Sequence, residues 1–396
     1  MKQILLHLLL ILLLIPGMAQ DNPLVKILKD HAVELGAVLM NPEEYRIQII
    51  YTQIERKESG EVTFKDYEYR PTPDAYFYPA STVKMPVAFL ALEYLNELRI
   101  KGLDAHTTMV TGQGSFPQTG VVTDSTAEDL LPSVDHYVKK IFLVSDNDAF
   151  NRLYELLGPC YINKKMREKG YLKSEIIHRL SAPNYTFETN MLTNPVSFHV
   201  DNQLLFHKGE VACTDLPRID RGETSLGKAY VDEAGEIIQE PLYFGDKNLV
   251  DLHDLHEILK AFIFPNDIES PNRTFNINAE DRERVMEYLS MWPSTSTYPN
   301  YSDIPDNYVK FLFMGDGTYP APEGLKIYNK VGLAYGFLSD IAYFHNPSEG
   351  IEFKLSAGIY VNENHTLNDG QYEYETIGFP FLSKLGKLVY DFEASR

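Results

Sequence analysis

The stretch Val138-Lys139-Lys140-Ile141-Phe142-Leu143-Val144-Ser145-Asp146-Asn147 runs into further apolar residues at Phe150, Leu153, Tyr154, Leu156 and Leu157. Apolar positions at helical spacing on both sides predict a helical region from Val134 to Leu157. Three polar residues nevertheless interrupt it where a core would continue. Asp146 can cap a helix, because its short side chain offers an acceptor to free backbone N–H groups. The other reading puts the Ser145 hydroxyl and the Asn147 amide over a nucleophile, to relay a proton and hold a substrate amide.

Upstream, Tyr78-Pro79-Ala80-Ser81-Thr82-Val83-Lys84 leads directly into an apolar helix from Val87 to Leu98. A serine at a helix start lies beside free N–H groups and the positive end of the helix dipole. Lys84 follows three residues later, so both side chains share a helix face about 5–6 Å apart. A serine hydroxyl is a weak nucleophile until a base takes its proton, and a desolvated lysine close to another cation can supply that base. A capping serine with a solvated lysine would look the same in isolation. The spacing recurs at Ser225-Leu226-Gly227-Lys228, where a glycine interrupts and no apolar helix follows.

Downstream, Lys330-Val331-Gly332 follows the strand-like run Leu325-Lys326-Ile327-Tyr328-Asn329. A glycine in a strand lets another backbone or a ligand approach closely. A bulge with an edge-strand lysine is the plainer explanation. Lys384-Leu385-Gly386 repeats the spacing inside the expected terminal helix.

Taken in order, Ser81-Thr82-Val83-Lys84, Ser145-Asp146-Asn147 and Lys330-Val331-Gly332 resemble the S-x-x-K, S-D-N and K-T-G motifs of class A β-lactamases and related penicillin-recognising serine enzymes, with one substitution in the third. Phe142 to Ala149 is especially close. Pro79 to Lys84 also resembles class D enzymes, whose second motif differs. The resemblance extends over nearly all of the chain after residue 19. It implies an α+β fold in which an antiparallel sheet, built from both termini, holds an inserted helical lobe. It implies that Ser81 attacks a carbonyl, that Lys84 is the base or part of the proton path, and that Ser145 delivers the proton to the leaving nitrogen. Asn147 would bind the substrate side-chain amide, Lys330 would keep the proton path polarised and attract a substrate carboxylate, and Gly332 and Leu333 would line the substrate-binding side. The backbone N–H groups of Ser81 and Leu333 would make an oxyanion hole. No cofactor or metal is implied.

The element pattern fits that architecture. A helix is expected from Pro23 to Leu39, then strands from Tyr45 to Ile54 and Val62 to Tyr69 around Glu58-Ser59-Gly60. Helices follow at Thr82 to Ile100, Val250 to Phe264 and Glu280 to Trp292. Strands at Leu325 to Val331, Phe337 to Phe344 and Phe353 to Val361 precede a closing helix from Phe381 to Phe392. The sheet lobe is expected at about 20–75 and 318–396, the helical lobe at about 76–317, and an insertion at about 196–245.

Lys2, the apolar run Ile4 to Ile15 interrupted by His7, and Pro16-Gly17-Met18-Ala19 describe a secretory signal peptide over 1–19. An uncleaved anchor is the alternative. The expected location is periplasmic or secreted, with no stable membrane span. The 396 residues carry 36 Lys and Arg against 56 Asp and Glu, a net charge of −20. Such a surface repels phosphate backbones and argues against nucleic-acid partners. Cys160 and Cys213 could form one bridge in an oxidising compartment, but sequence does not bring them together. His253 and His256-Glu257 lack the order of a zinc-binding helix and are expected on a surface helix.

Two departures from the family pattern bear on activity. Val331 replaces a hydroxyl residue that helps hold the substrate carboxylate. Class A enzymes also carry a loop glutamate that activates the hydrolytic water. Here the comparable region reads Arg179-Leu180-Ser181-Ala182-Pro183-Asn184-Tyr185-Thr186-Phe187-Glu188, where Asn184 is nearest the expected place and Glu188 is the only close carboxylate. Three activities are therefore expected in order: a serine hydrolase opening β-lactams, a D-Ala-D-Ala peptidase or esterase using the same acylation, and a sensor that stays acylated.

Overall fold

A computed structural model describes residues 22–71, 76–317 and 321–396; the expected signal peptide lies outside them. The main sheet is formed by β1 (Gln48–Arg56), β2 (Val62–Tyr69), β3 (Lys326–Ala334), β4 (Phe337–Asn346) and β5 (Ile351–Tyr360). Its order is β3-β4-β5-β1-β2, antiparallel throughout, so strands from both ends of the chain meet where β1 pairs with β5. Side chains alternate across a strand. Ile50 and Ile54 accordingly face the core of the helical lobe, while Ile49 and Tyr51 face a second core. In β4, Ile341 and Tyr343 join the first core and Leu338, Ala342 and Phe344 the second.

The second core is closed by α1 (Pro23–Asp30), α2 (Gly36–Met40) and the C-terminal helix described below. The single helix expected over Pro23 to Leu39 is thus two. His31 ends the first, and Gly36 takes a φ of +61°, a left-handed conformation that breaks the run. Leu35, Val38 and Leu39 remain buried across the break, so apolar spacing alone did not register it.

At the centre of the helical lobe is α3 (Lys84–Leu98), buried on every side along its first half and entered through a 3₁₀ turn at Ala80–Val83. Phe89 stacks on Phe262 at 4.0 Å between centroids and meets Phe275 edge-on. A buried Phe contributes about 1.5–3 kcal/mol, so this cluster secures the base of the nucleophile turn. The region Val134 to Leu157 forms two helices, α4 (Val134–Val144) and α5 (Asn147–Leu157). They are followed by α6 (Pro159–Glu168), which the sequence pattern did not reveal, and later by α7 (Leu252–Ile263) and α8 (Ala279–Ser290). The C-terminal helix α9 spans Phe379–Ala394.

The segment expected as an insertion from 196 to 245 divides in two. Val196–Val200 and Gln203–Lys208 form a hairpin that pairs with Thr108–Thr111, and Val196 and Phe198 belong to the helical-lobe core. Residues beyond Gly209 make short strand pairs, tied to α6 by a Cys160–Cys213 disulfide with Cα atoms 5.4 Å apart. One further expectation is corrected. His256 is fully buried because α7 packs on the main sheet, and its ring nitrogens bond the hydroxyls of Thr52 (2.7 Å) and Ser356 (2.8 Å). No described helix is long and apolar enough to cross a membrane. Among the described residues, no cluster of His, Cys, Asp or Glu is arranged to hold a metal.

Candidate active site

Each of the three motifs sits at a junction between elements. Ser81 lies on the 3₁₀ turn into α3, after Ala80 in the left-handed region at φ +47°. Ser145 ends α4 in a left-handed conformation at φ +57°. Asp146 caps α5 by accepting from the Ala149 N–H at 2.8 Å. The capping reading is therefore right, and it serves the site, because the cap turns Ser145 and Asn147 toward Lys84. Lys330 and Gly332 lie near the end of β3, beside the two-residue turn Tyr335-Gly336 into β4. Both turn residues have positive φ, as this hairpin type requires.

Gly332 shows why β3 carries a glycine. A Cβ there would lie 2.5 Å from the Pro79 carbonyl oxygen, 2.9 Å from Thr82 Cγ2 and 3.1 Å from Ser339 Oγ. The strand therefore packs against the turn bearing Ser81 at a distance only glycine permits. The two decoys resolve differently. Ser225-Leu226 is a two-residue strand with Ser225 exposed and Leu226 buried, and Gly386 of α9 admits the Leu312 carbonyl, which would meet a Cβ at 1.3 Å.

The polar centre converges on the Ser145 hydroxyl. Lys84 Nζ lies 3.3 Å from Ser145 Oγ and donates to the Ser145 carbonyl and to Asn147 Oδ1 at 2.6 Å. Lys330 Nζ reaches the same hydroxyl at 2.8 Å and the Val331 carbonyl at 2.8 Å. Burial lowers the Lys84 ammonium to about 7, with Asp146 the opposing charge. Burial, then the Lys84 charge, pushes Lys330 well below the ordinary lysine range, against Asp340. Lys84 Nζ thus faces three oxygen acceptors, the Ser145 carbonyl, Asn147 Oδ1 and Ser145 Oγ, and Lys330 donates to the same hydroxyl from the other side. Proton transfer through Ser145 needs such a chain.

A buried network holds β3 behind Lys330. Lys310 donates to Asn329 Oδ1 at 2.6 Å, and Asn329 donates to Asp340 Oδ1 at 2.7 Å. Asp340 also accepts from the Leu312 N–H at 3.0 Å, while burial raises its carboxyl to about 6. None of these three residues was singled out by sequence, since their roles arise only from packing between distant segments.

Ser81 Oγ makes no hydrogen bond among the described residues. It opens into two cavities, of about 410 and about 800 Å³, that share Ser81, Asn147 and Leu333. Val331 lines the smaller one. The loop after Arg179 forms part of the larger. Leu180 is pinned to α5 by paired bonds with Asn151 at 2.8 and 2.9 Å, and Arg179 bonds buried Glu155 at 3.1 Å. From this loop the residue that meets the site is Ser181, whose hydroxyl accepts from the Asn147 amide at 2.8 Å. Nothing in the sequence pattern marks Ser181, because the family pattern expects a carboxylate in this loop. Glu188 is exposed, accepts from the Thr186 hydroxyl at 2.8 Å and does not line the cavity; Asn184 is exposed too. Among the described residues no carboxylate bonds Lys84, Asn147, Ser181 or Lys330.

The fold is two-lobed, and the three motifs meet where the helical lobe packs on β3. Residues 35–205 match the β-lactamase enzyme family. Three solved structures share the fold. One is a β-lactamase from Xanthomonas campestris pv. campestris, at 13% identity over 92% of this chain and 98% of that one, TM-score 0.51. The second is PBP-A, at 13% identity over 96% and 100%, TM-score 0.52. The third is an ancestral class A β-lactamase, GNCA, at 12% identity over 92% and 99%, TM-score 0.50. Comparison with curated proteins gives no match. The chain has the fold of class A β-lactamases, and its family match is confined to residues 35–205.

Proposed function

We propose that this protein is an extracytoplasmic serine hydrolase that opens β-lactam rings through an acyl-enzyme on Ser81. The observation that carries the reading is the Ser145 hydroxyl held between Lys84 and Lys330, next to a nucleophile free to react. Ser81 Oγ bonds to the lactam carbonyl carbon as its proton passes to neutral Lys84. The C–N bond then breaks, and Ser145 hands the proton to the leaving nitrogen. The N–H groups of Ser81 and Leu333 receive the developing oxyanion, an interaction worth about 10²–10³ in rate per donor. Lys330 attracts the substrate carboxylate. The methyl groups of Val331 offer it no hydrogen bond, a loss of about 1–3 kcal/mol. The Cys160–Cys213 bridge supports an oxidising compartment and agrees with the expected signal peptide.

Acylation should follow the neutral fraction of Lys84, whose pKa is about 7. Below that pH the lysine is protonated, so the second-order acylation constant is expected to fall about tenfold per pH unit and to level off above it. A flat profile between pH 5 and 8 would exclude Lys84 as base.

The serine at the Asn147 amide favours slow turnover, because it replaces a group able to activate water. General-base help is worth about 10²–10⁴ in rate. Incubation with a chromogenic cephalosporin, followed by intact mass, is expected to show a one-to-one adduct accumulating during slow hydrolysis. Fast hydrolysis without detectable adduct would place a water-activating base elsewhere. Absence of both would favour peptidase or esterase activity.

A further inference from the structure

The larger cavity exceeds what ring opening alone requires, and its far wall comes from the region after Gly209. Glu233, Tyr243, Asp246 and Lys247 line it, together with Asn368 and Tyr372 from the loop after β5. These two segments are one unit. Ala229 and Tyr230 pair in parallel with Thr366 and Leu367, and Asn368 donates to the Val231 carbonyl at 2.8 Å. The unit is also fixed to the nucleophile turn, since Leu226, Phe244 and Leu367 share a buried cluster with Tyr78 and Ala80. The wall is therefore part of the site.

Charges on this wall are unequally compensated. Arg179 is bonded to Glu155, and exposed Asp246 faces Arg218 at 3.5 Å. Glu233 is exposed at a hairpin tip. His178 is buried and kept neutral, its pKa pushed to about 3 by burial and then by Lys247. Lys247 is half-buried and makes no salt bridge among the described residues. Its ammonium lies 5.7 Å from the centroid of the Tyr335 ring. Tyr335 in turn meets Tyr78 edge-on at 5.6 Å, three residues before Ser81. A partly desolvated cation on an aromatic platform, open to a cavity, is a site for an anionic group.

We propose that Lys247 and Tyr335 form an acyl-side subsite for substrates whose bulky acyl substituent carries a carboxylate. This inference rests on acylation at Ser81. The test measures second-order acylation constants by intact mass for 6-aminopenicillanic acid, which has no acyl arm, benzylpenicillin, with an aromatic arm, and carbenicillin, the same arm with a carboxylate. The expected order is carbenicillin, benzylpenicillin, 6-aminopenicillanic acid, with about tenfold between the first two, as for one charge-assisted contact. In Lys247→Met the carbenicillin-to-benzylpenicillin ratio should fall toward one, and in Lys247→Arg it should persist. Equal constants for benzylpenicillin and carbenicillin in the wild-type protein would overturn the subsite, as would a ratio that survives in Lys247→Met. Acylation by none of the three would contradict the Ser81 reading itself and remove the basis of this one.

Discussion

Replacing Ser81 with alanine is expected to abolish covalent acylation, leaving no mass adduct with any β-lactam and cutting hydrolysis by a factor on the order of 10⁶. No neighbouring hydroxyl is equally placed. Ser145 is held by both lysines, and Ser181 is engaged by Asn147. The substitution should leave folding almost untouched. The Ser81 hydroxyl makes no hydrogen bond among the described residues, and such changes shift stability by about 0.5 kcal/mol or less. A lost adduct at an unchanged melting temperature therefore reports chemistry. Hydrolysis that survived at the wild-type rate would show another nucleophile at work.

Gly332→Ala should produce the next largest effect. The added Cβ would lie 2.5 Å from the Pro79 carbonyl oxygen, a backbone atom that cannot rotate away. Either β3 or the Ser81 turn must retreat, and overpacking of this kind costs about 1–3 kcal/mol. A displacement of about 1 Å between nucleophile and proton path costs on the order of 10² in rate. The acylation constant is thus expected to drop about a hundredfold, with a lowered thermal midpoint. Acylation at the wild-type rate would mean that the close approach of strand and turn does not position Ser81.

Much of this site was legible in the sequence because its parts follow local rules. Ser81 and Lys84 share a helix face through their spacing, and Asp146 is a capping residue at a break between apolar runs. The glycine of Lys330-Val331-Gly332 marks a close backbone approach. The sheet could be assembled in outline from the periodicity of its strands. Contacts between segments far apart in the chain were not legible. Apolar spacing continued across the break at Gly36, so one helix was expected where two occur. His256 looked exposed because the hydroxyls of Thr52 and Ser356 that satisfy it lie on other elements. Ser181 carries no sequence signal, since the loop is pinned through Asn151 to present a hydroxyl where the family pattern expects a carboxylate. The part played by Lys247 depends on a wall made from two segments more than a hundred residues apart.

The measurement closest to the central claim is peptide mapping of the protein after brief exposure to benzylpenicillin. A single benzylpenicilloyl group is expected, located by fragmentation on Ser81. Modification at Lys84, Ser145 or Ser181 instead, or none at all, would contradict it.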